Sequence, residues 1–217
     1  MMPAKPDFDH VARIYRWAEY ASLGPLLERA RNHFLPQLRG CRRAMALGDG
    51  DGRFLARLMA QNPALQSVAV DTSATMLELL RKNCVRASAD AEQRLTLLHA
   101  SALEQNPAPD TDLIVSHFFL DCLTQTQLNA LTQSYARALG LGTRWVISDF
   151  ALPRTVWLKP FAWIYIRSLY LAFRLLTGLR VTRLPDAQGA LERAGFVRVE
   201  HKNFVGGLVY TEVWRLE

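Results

Sequence analysis

Gly48, Gly50 and Gly52 alternate with Asp49 and Asp51 directly after a short apolar run, Arg43 to Leu47, and just before the helically spaced Phe54, Leu55, Leu58 and Met59. Glycines so placed let a chain leave a strand through a sharp turn, bring its backbone close to a ligand, and present the free amides of a helix N-terminus. Alone, the pattern equally describes a plain glycine-rich strand-to-helix turn. Asp71 adds a second signal. It ends the next apolar run, Ser67 to Val70, nineteen residues past Gly52, where a carboxylate can accept both ribose hydroxyls of an adenosine cofactor. A dinucleotide would use the same carboxylate, but its fingerprint wants glycine three residues after Gly50, and Arg53 stands there.

The elements that must position these residues follow from periodicity. Phe8 to Leu38 carries apolar residues at helical spacing, divided into two helices at Gly24-Pro25 and ended by Pro36 to Gly40. Strands are expected at Arg43 to Leu47, Ser67 to Val70, Leu95 to His99, Asp112 to Ser116 and Trp145 to Phe150. Helices are expected after Gly52, over Ser73 to Val85 and over Thr126 to Leu139. Strands alternating with helices imply a parallel sheet covered on both faces. Beyond that, Asp186 to Ala194 reads as a short helix, and Phe196 to Asn203 with Leu208 to Leu216 reads as a hairpin turning at Gly206-Gly207. The fold class is therefore α/β: a seven-stranded, Rossmann-like, mostly parallel sheet with an antiparallel C-terminal hairpin.

At 217 residues, half of them apolar, the chain fits a single domain, residues 1–217, with enough apolar content for a sizeable core. The first residues are polar, without the apolar core of a signal peptide, and no run of eighteen uncharged apolar residues follows, so a cytoplasmic protein is expected. Cys41, Cys84 and Cys122 form no CxxC pair and have no histidine at zinc spacing, which reads as free thiols and no metal site. The net charge of +6 is concentrated. Arg154, Lys159, Arg167, Arg174, Arg180 and Arg183 lie between Pro153 and Pro185 with no acid among them, and the remainder is balanced, unlike the broad basic face of a nucleic-acid binder.

Ala44 to Gly52 resembles the first motif of the class I S-adenosylmethionine (SAM) methyltransferases. Val68 to Leu77, with its Asp-x-Ser-x-x-Met-Leu, is similar to their second. The resemblance extends over nearly the whole chain and implies SAM as cofactor. Gly48, Asp49, Gly50 and Gly52 would lie along its methionyl part, Asp71 on the ribose, and Thr72 and Met76 on the adenine. His99 to Ala102 is similar to the third motif, with Ser101 where an adenine-binding Asp is common and Ala102 beside it. Asp112 to Asp121 looks like the fourth strand and its exit loop, which would bring Ser116, His117 and Phe118 to the transferable methyl. One departure stands out: many relatives carry an acid two residues before the first glycine, for the methionyl ammonium, and here that residue is Ala46. Either backbone carbonyls near Gly48 and Ser116 take over, or Asp49 or Asp51 does.

Methyl transfer from a sulfonium is an in-line displacement, so alignment of donor and acceptor matters most, with proton removal only for a weak nucleophile. His117 could serve as base or hydrogen-bond the acceptor; it could equally pack against the cofactor. Asp121, four residues on, could orient His117 or cap a helix. His99 reads as structural or adenine-adjacent. Tyr15 and Tyr20 belong to the N-terminal helices, residues 1–40, which in similar enzymes form a lid; they also fit the core face of those helices. Arg31 is a candidate partner for the carboxylate of SAM or a solvated surface residue.

Residues 153–185 form the expected helical insertion after the fifth strand. Trp157, Phe161, Trp163, Tyr165, Tyr170 and Phe173 are interleaved with Lys159, Arg167 and Arg174, which gives an amphipathic helix rather than a membrane span. Trp157, Phe161 and Tyr165 are candidate acceptor-binding residues, as is Phe118. The reading is a SAM-dependent methyltransferase acting on a small apolar or aromatic acceptor of quinone, polyketide or aryl-lipid type. The basic rim could meet an acyl carrier protein or an anionic membrane surface. The alternative is a non-catalytic accessory protein of the same fold.

Overall fold

The computed structural model describes residues 24–151 and 184–217. Tyr15, Tyr20, Trp157, Phe161 and Tyr165, the first of the N-terminal helices and almost all of the insertion lie outside these residues. In chain order the elements are α1 (Gly24–Asn32), β1 (Arg43–Leu47), α2 (Arg53–Gln61), β2 (Gln66–Asp71), α3 (Ala74–Ala87), α4 (Ala91–Arg94), β3 (Leu95–His99), β4 (Leu113–His117), α5 (Gln125–Ala138), β5 (Arg144–Phe150), α6 (Ala187–Arg193), β6 (Phe196–Phe204) and β7 (Val209–Leu216). The helical reading up to Leu38 is too long. α1 stops at Asn32 and Leu35–Leu38 forms a separate 3-10 turn, because Pro36 brings no amide hydrogen to an α-helical ladder. The short α4 was not anticipated.

The seven strands run in the order β3-β2-β1-β4-β5-β7-β6. β1 to β5 pair in parallel, and β7 lies antiparallel between β5 and β6. The mixed, Rossmann-like sheet with its hairpin thus matches the expectation. The chain progresses outward from β1 in one direction through β2 and β3, then restarts on β1's other side with β4. That reversal opens a crevice at the carboxyl ends of β1 and β4, the place where open α/β sheets bind ligands.

Alternation along the strands splits the core in two. Ala44, Ala46, Leu113, Val115 and Val146 face α2 and α3, meeting Phe54, Leu55, Leu58, Leu77 and Leu80. Met45, Leu47, Ile114, Trp145 and Ile147 face α5 and α6, meeting Leu128, Leu131, Tyr135 and Leu191. α5 starts on a capping box: Thr124 accepts the Gln127 amide while the Gln127 side chain returns to the Thr124 backbone. A third, smaller cluster seats α1 across the sheet, with Leu27 and Ala30 against Phe150, Phe204 and Val209.

Gly52, the N-cap of α2, has φ of +74°, and a Cβ there would lie 2.3 Å from Leu80 Cγ and 2.9 Å from the Leu80 backbone. Gly50 has φ of +58° and no atom of the described residues within 4 Å of the same position. Gly52→Ala is therefore expected to destabilise the fold by about 3 kcal/mol, combining backbone strain and overpacking, and Gly50→Ala by about 1 kcal/mol from strain alone. Urea unfolding of the two variants measures the difference; equal midpoints would contradict this account.

Candidate active site

The turn after β1 and the loop after β4 are built against each other. Gly48 takes φ of +58°, donates its amide to Val70 O at 2.9 Å, and has the Phe119 ring so close that a Cβ would meet Phe119 Cδ2 at 2.6 Å. Gly50, one step on, has no atom of the described residues within 4 Å of where a Cβ would stand, at a φ that favours glycine. A bare backbone at the switch point is what the close approach of a ligand requires. Asp71 ends β2 next to this turn. Its Oδ1 accepts the Ser73 amide at 2.8 Å, which fixes the carboxylate at the start of α3. His99 Nε2 donates to Thr72 O at 2.9 Å and so ties the exit of β3 to the exit of β2.

Several predicted residues turn out to be engaged by the scaffold. Ser116 is fully buried, and its hydroxyl accepts the Trp145 indole N–H at 2.9 Å, so any part it has in a ligand site falls to its backbone. Ser101 Oγ accepts the Leu103 amide, and Ala102 O accepts the Tyr135 hydroxyl. Met76 is buried at the first turn of α3, where Ser73 caps its amide, while Thr72 is exposed at the tip. Phe118 holds φ of +54°, a strained conformation for a bulky residue. Its amide bonds Ser148 O at 2.7 Å, its ring meets Phe150 at 5.1 Å, and the Arg31 guanidinium of α1 lies 5.0 Å above it.

His117 sits at the end of β4 with 2% exposure, its ring edge-on to Phe54 at a centroid distance of 4.4 Å. A short relay fixes its tautomer. Thr211 Oγ1 donates to Ile147 O at 3.0 Å, so it accepts from Ser148 Oγ at 2.9 Å; Ser148, its one hydrogen so committed, accepts from His117 Nδ1 at 2.9 Å. The proton is on Nδ1, and Nε2 presents a bare lone pair that is buried without a partner. Burial, helped by the Arg31 charge, holds the imidazole pKa well below its usual value, so the ring is neutral.

Asp121 does not orient this histidine. His117 Nδ1 bonds Ser148 and its Nε2 has no partner, while the Asp121 backbone meets Asp149 at the end of β5. The Asp121 amide donates to Asp149 Oδ2 at 3.1 Å and the Phe150 amide donates to Asp149 Oδ1 at 2.9 Å, and the two buried carboxyls are close enough to influence each other's protonation. Burial pushes Asp121 up to about 6, and burial with the neighbouring Asp121 charge pushes Asp149 well above the carboxylate range. Burial likewise raises Tyr210, close by on β7. Asp149, Ser148 and Thr211 were missed in the sequence; the one available signal was an acid near the end of the otherwise apolar Trp145 to Phe150.

Because the folded pair titrates above the ordinary aspartate range near ~4, its stabilising contribution is complete below that value and is lost as pH rises through about 6 and beyond. Asp149→Asn removes the second charge. From pH 5 to pH 8 the wild-type chain is expected to lose roughly 1–3 kcal/mol more stability than the variant. Denaturant unfolding across that range is the measurement, and parallel pH profiles would contradict the raised pair.

A family model described as a methyltransferase domain matches residues 45–144. The ubiquinone/menaquinone biosynthesis C-methyltransferase UbiE of Syntrophotalea carbinolica is 28% identical, over 79% of this chain and 76% of its own. Among solved structures, a candidate O-methyltransferase from Nostoc punctiforme superposes with a TM-score of 0.74 at 16% identity, covering 99% of this chain and 63% of that one. An O-methyltransferase family protein from Burkholderia thailandensis gives 0.69 at 15% identity, with 95% and 59% covered. The chain thus spans about three-fifths of the length of the solved structures it matches, and they share its fold. With the strand order, the glycine turn and Asp71 in their places, the chain is similar to the class I SAM-dependent methyltransferases in its fold and over the matched residues.

Proposed function

We propose that the chain transfers the methyl group of SAM to a small, apolar or aromatic acceptor. The observation that carries this reading is the bare Gly50 backbone at the β1/β4 switch point, with no atom of the described residues within 4 Å of its Cβ position, together with the fixed Asp71 carboxylate at the end of the neighbouring β2. A turn with glycines at alternate positions and a fixed carboxylate fit SAM. Asp71 would take the ribose, Gly48 to Gly52 the methionyl part, and Thr72 with Met76 the adenine edge. SAM, when bound, supplies an electrophilic methyl on a sulfonium; the chain's own residues align it and exclude water. Phe118, Phe119 and Phe150 supply apolar surface around the exits of β4 and β5. The quinone pathway named for the Syntrophotalea relative supports an aromatic, quinone-like acceptor.

The basic, aromatic segment 153–185 completes the acceptor side in this reading, with Trp157, Phe161 and Tyr165 on the acceptor and Arg167 and Arg174 on a carrier protein or an anionic membrane surface. Among the described residues no helix is long and apolar enough to cross a membrane, so contact with a membrane would be peripheral. Arg167→Glu with Arg174→Glu is expected to weaken turnover of a vesicle-borne or carrier-borne acceptor while leaving SAM affinity intact.

Calorimetry with SAM and S-adenosylhomocysteine, followed by transfer of labelled methyl to a panel of demethylated quinols and phenols, tests the reading. Binding of both and labelling of at least one aromatic acceptor are expected. Asp71→Asn keeps the bond to the Ser73 amide but loses the charge, and it should weaken binding about tenfold. No binding of either ligand at millimolar concentration would leave the non-catalytic alternative standing.

A further inference from the structure

The loop that leaves β4 and enters the 3-10 turn Leu120–Cys122 is held at two points by β5. The Phe118 amide donates to Ser148 O at 2.7 Å, and the Asp121 amide donates to Asp149 Oδ2 at 3.1 Å. The Asp149 carboxylate is fixed in turn by its own strand, because Oδ1 accepts the Phe150 amide at 2.9 Å. Phe118 and Asp121 lie so close in the chain that the span between these anchors has little freedom to relax. Within it Phe118 keeps φ of +54°, a conformation that a bulky residue holds only where its surroundings over-determine it.

With the backbone so turned, the Phe118 ring lies against Phe150 and beneath Arg31, in the cluster that seats α1, while the Phe119 ring covers Gly48. Asp149 is 2% exposed and Asp121 7%, so neither carboxyl is open to a ligand, whereas the Phe118 ring is half-buried and has surface to offer. Burying an acid at the end of an apolar strand carries a desolvation cost, and here its two amide bonds fix where one loop stands. We propose that Asp149 is a positioning residue for methyl transfer: by holding the Asp121 amide it keeps the Phe118 ring in place as the wall against which an aromatic acceptor lies. This rests on the acceptor reading above.

Two measurements test it. The first needs no acceptor and follows amide hydrogen exchange by NMR. Asp149→Asn offers one oxygen to two amides, and Asp149→Leu offers none. Exchange at Phe118 and Asp121 is expected to quicken about threefold in Asp149→Asn and about tenfold in Asp149→Leu. The Ser73 amide, held by Asp71, should not change, and so reports that each variant is folded. The second measurement is transfer of labelled methyl to naphthohydroquinone. Asp149→Asn is expected to raise the acceptor KM about fivefold, leaving kcat within about twofold and S-adenosylhomocysteine affinity unaltered. In a Phe118→Ala background the same substitution is expected to change KM by less than about twofold, because its effect passes through the ring already removed. Unchanged exchange at Asp121, a parallel fall in kcat and cofactor affinity, or the full KM effect persisting in Phe118→Ala would overturn the proposal. An unaltered chain that binds S-adenosylhomocysteine yet labels no quinol or phenol would overturn the acceptor reading, and the proposal with it; overturning the proposal alone requires labelling by the unaltered chain.

Discussion

The candidate site depends on the contact between the bare backbone of Gly48 and the ring of Phe119. Gly48 leaves β1 and Phe119 follows β4, so this contact ties together the two loops that leave these paired strands at the crevice. No side chain larger than hydrogen fits there, and Gly48 is further fixed by its amide bond to Val70. Around it the carboxyl ends of β1, β2 and β4 come to one level: Leu47 pairs with both Val70 and Ser116, and Asp71 lies opposite His99. The depth of the crevice is set by strand register, and its floor by the absence of a methyl group.

The polar chemistry of the crevice is supported from β5 and β7. The His117, Ser148 and Thr211 relay crosses three neighbouring strands at one register position and ends on a backbone carbonyl. That terminal carbonyl can only accept, so the direction of every hydrogen along the relay is decided at its far end. On the opposite face, Asp149 accepts the Asp121 amide beneath the β4 exit loop, and burial raises both carboxyls. The two arrangements occupy alternate residues of β5, which is how adjacent Ser148 and Asp149 serve opposite faces of one sheet.

What could be read in the sequence was what local pattern determines. Apolar runs ending in glycine or aspartate marked β1 and β2, helical spacing marked α3 and α5, and the glycine pair marked the hairpin. The spacing of Gly48, Gly50, Gly52 and Asp71 pointed to the correct end of the sheet. Side-chain partnership could not be read this way, because it depends on register between strands distant in sequence. Ser148 meets Thr211 only because β7 is inserted beside β5, and nothing in the local pattern of Phe196 to Leu216 distinguishes that order from β6 pairing with β5. The pairing of Asp121 with His117 was inferred from helical spacing, and the chain between them is a strand end and a 3-10 turn. Pro36 gave a visible stop signal that was placed a few residues too late.

The position of β7 also bears on how the sheet is assembled. β7 follows β6 in the chain but lies inside it, filling the space between β5 and β6. Until β7 has been synthesised, β5 presents an open, apolar edge, and Trp145 lacks the Trp214 it faces across the strand pair. β6, by contrast, becomes the outer edge and is almost wholly exposed, carrying Arg198, Glu200, His201 and Lys202, the kind of charged edge that resists pairing with another chain. The nascent protein therefore makes its protected border before the strand that seals its interior. Its most aggregation-prone interval is the time between those two strands, which the connection at Val205–Gly207 keeps to a few residues.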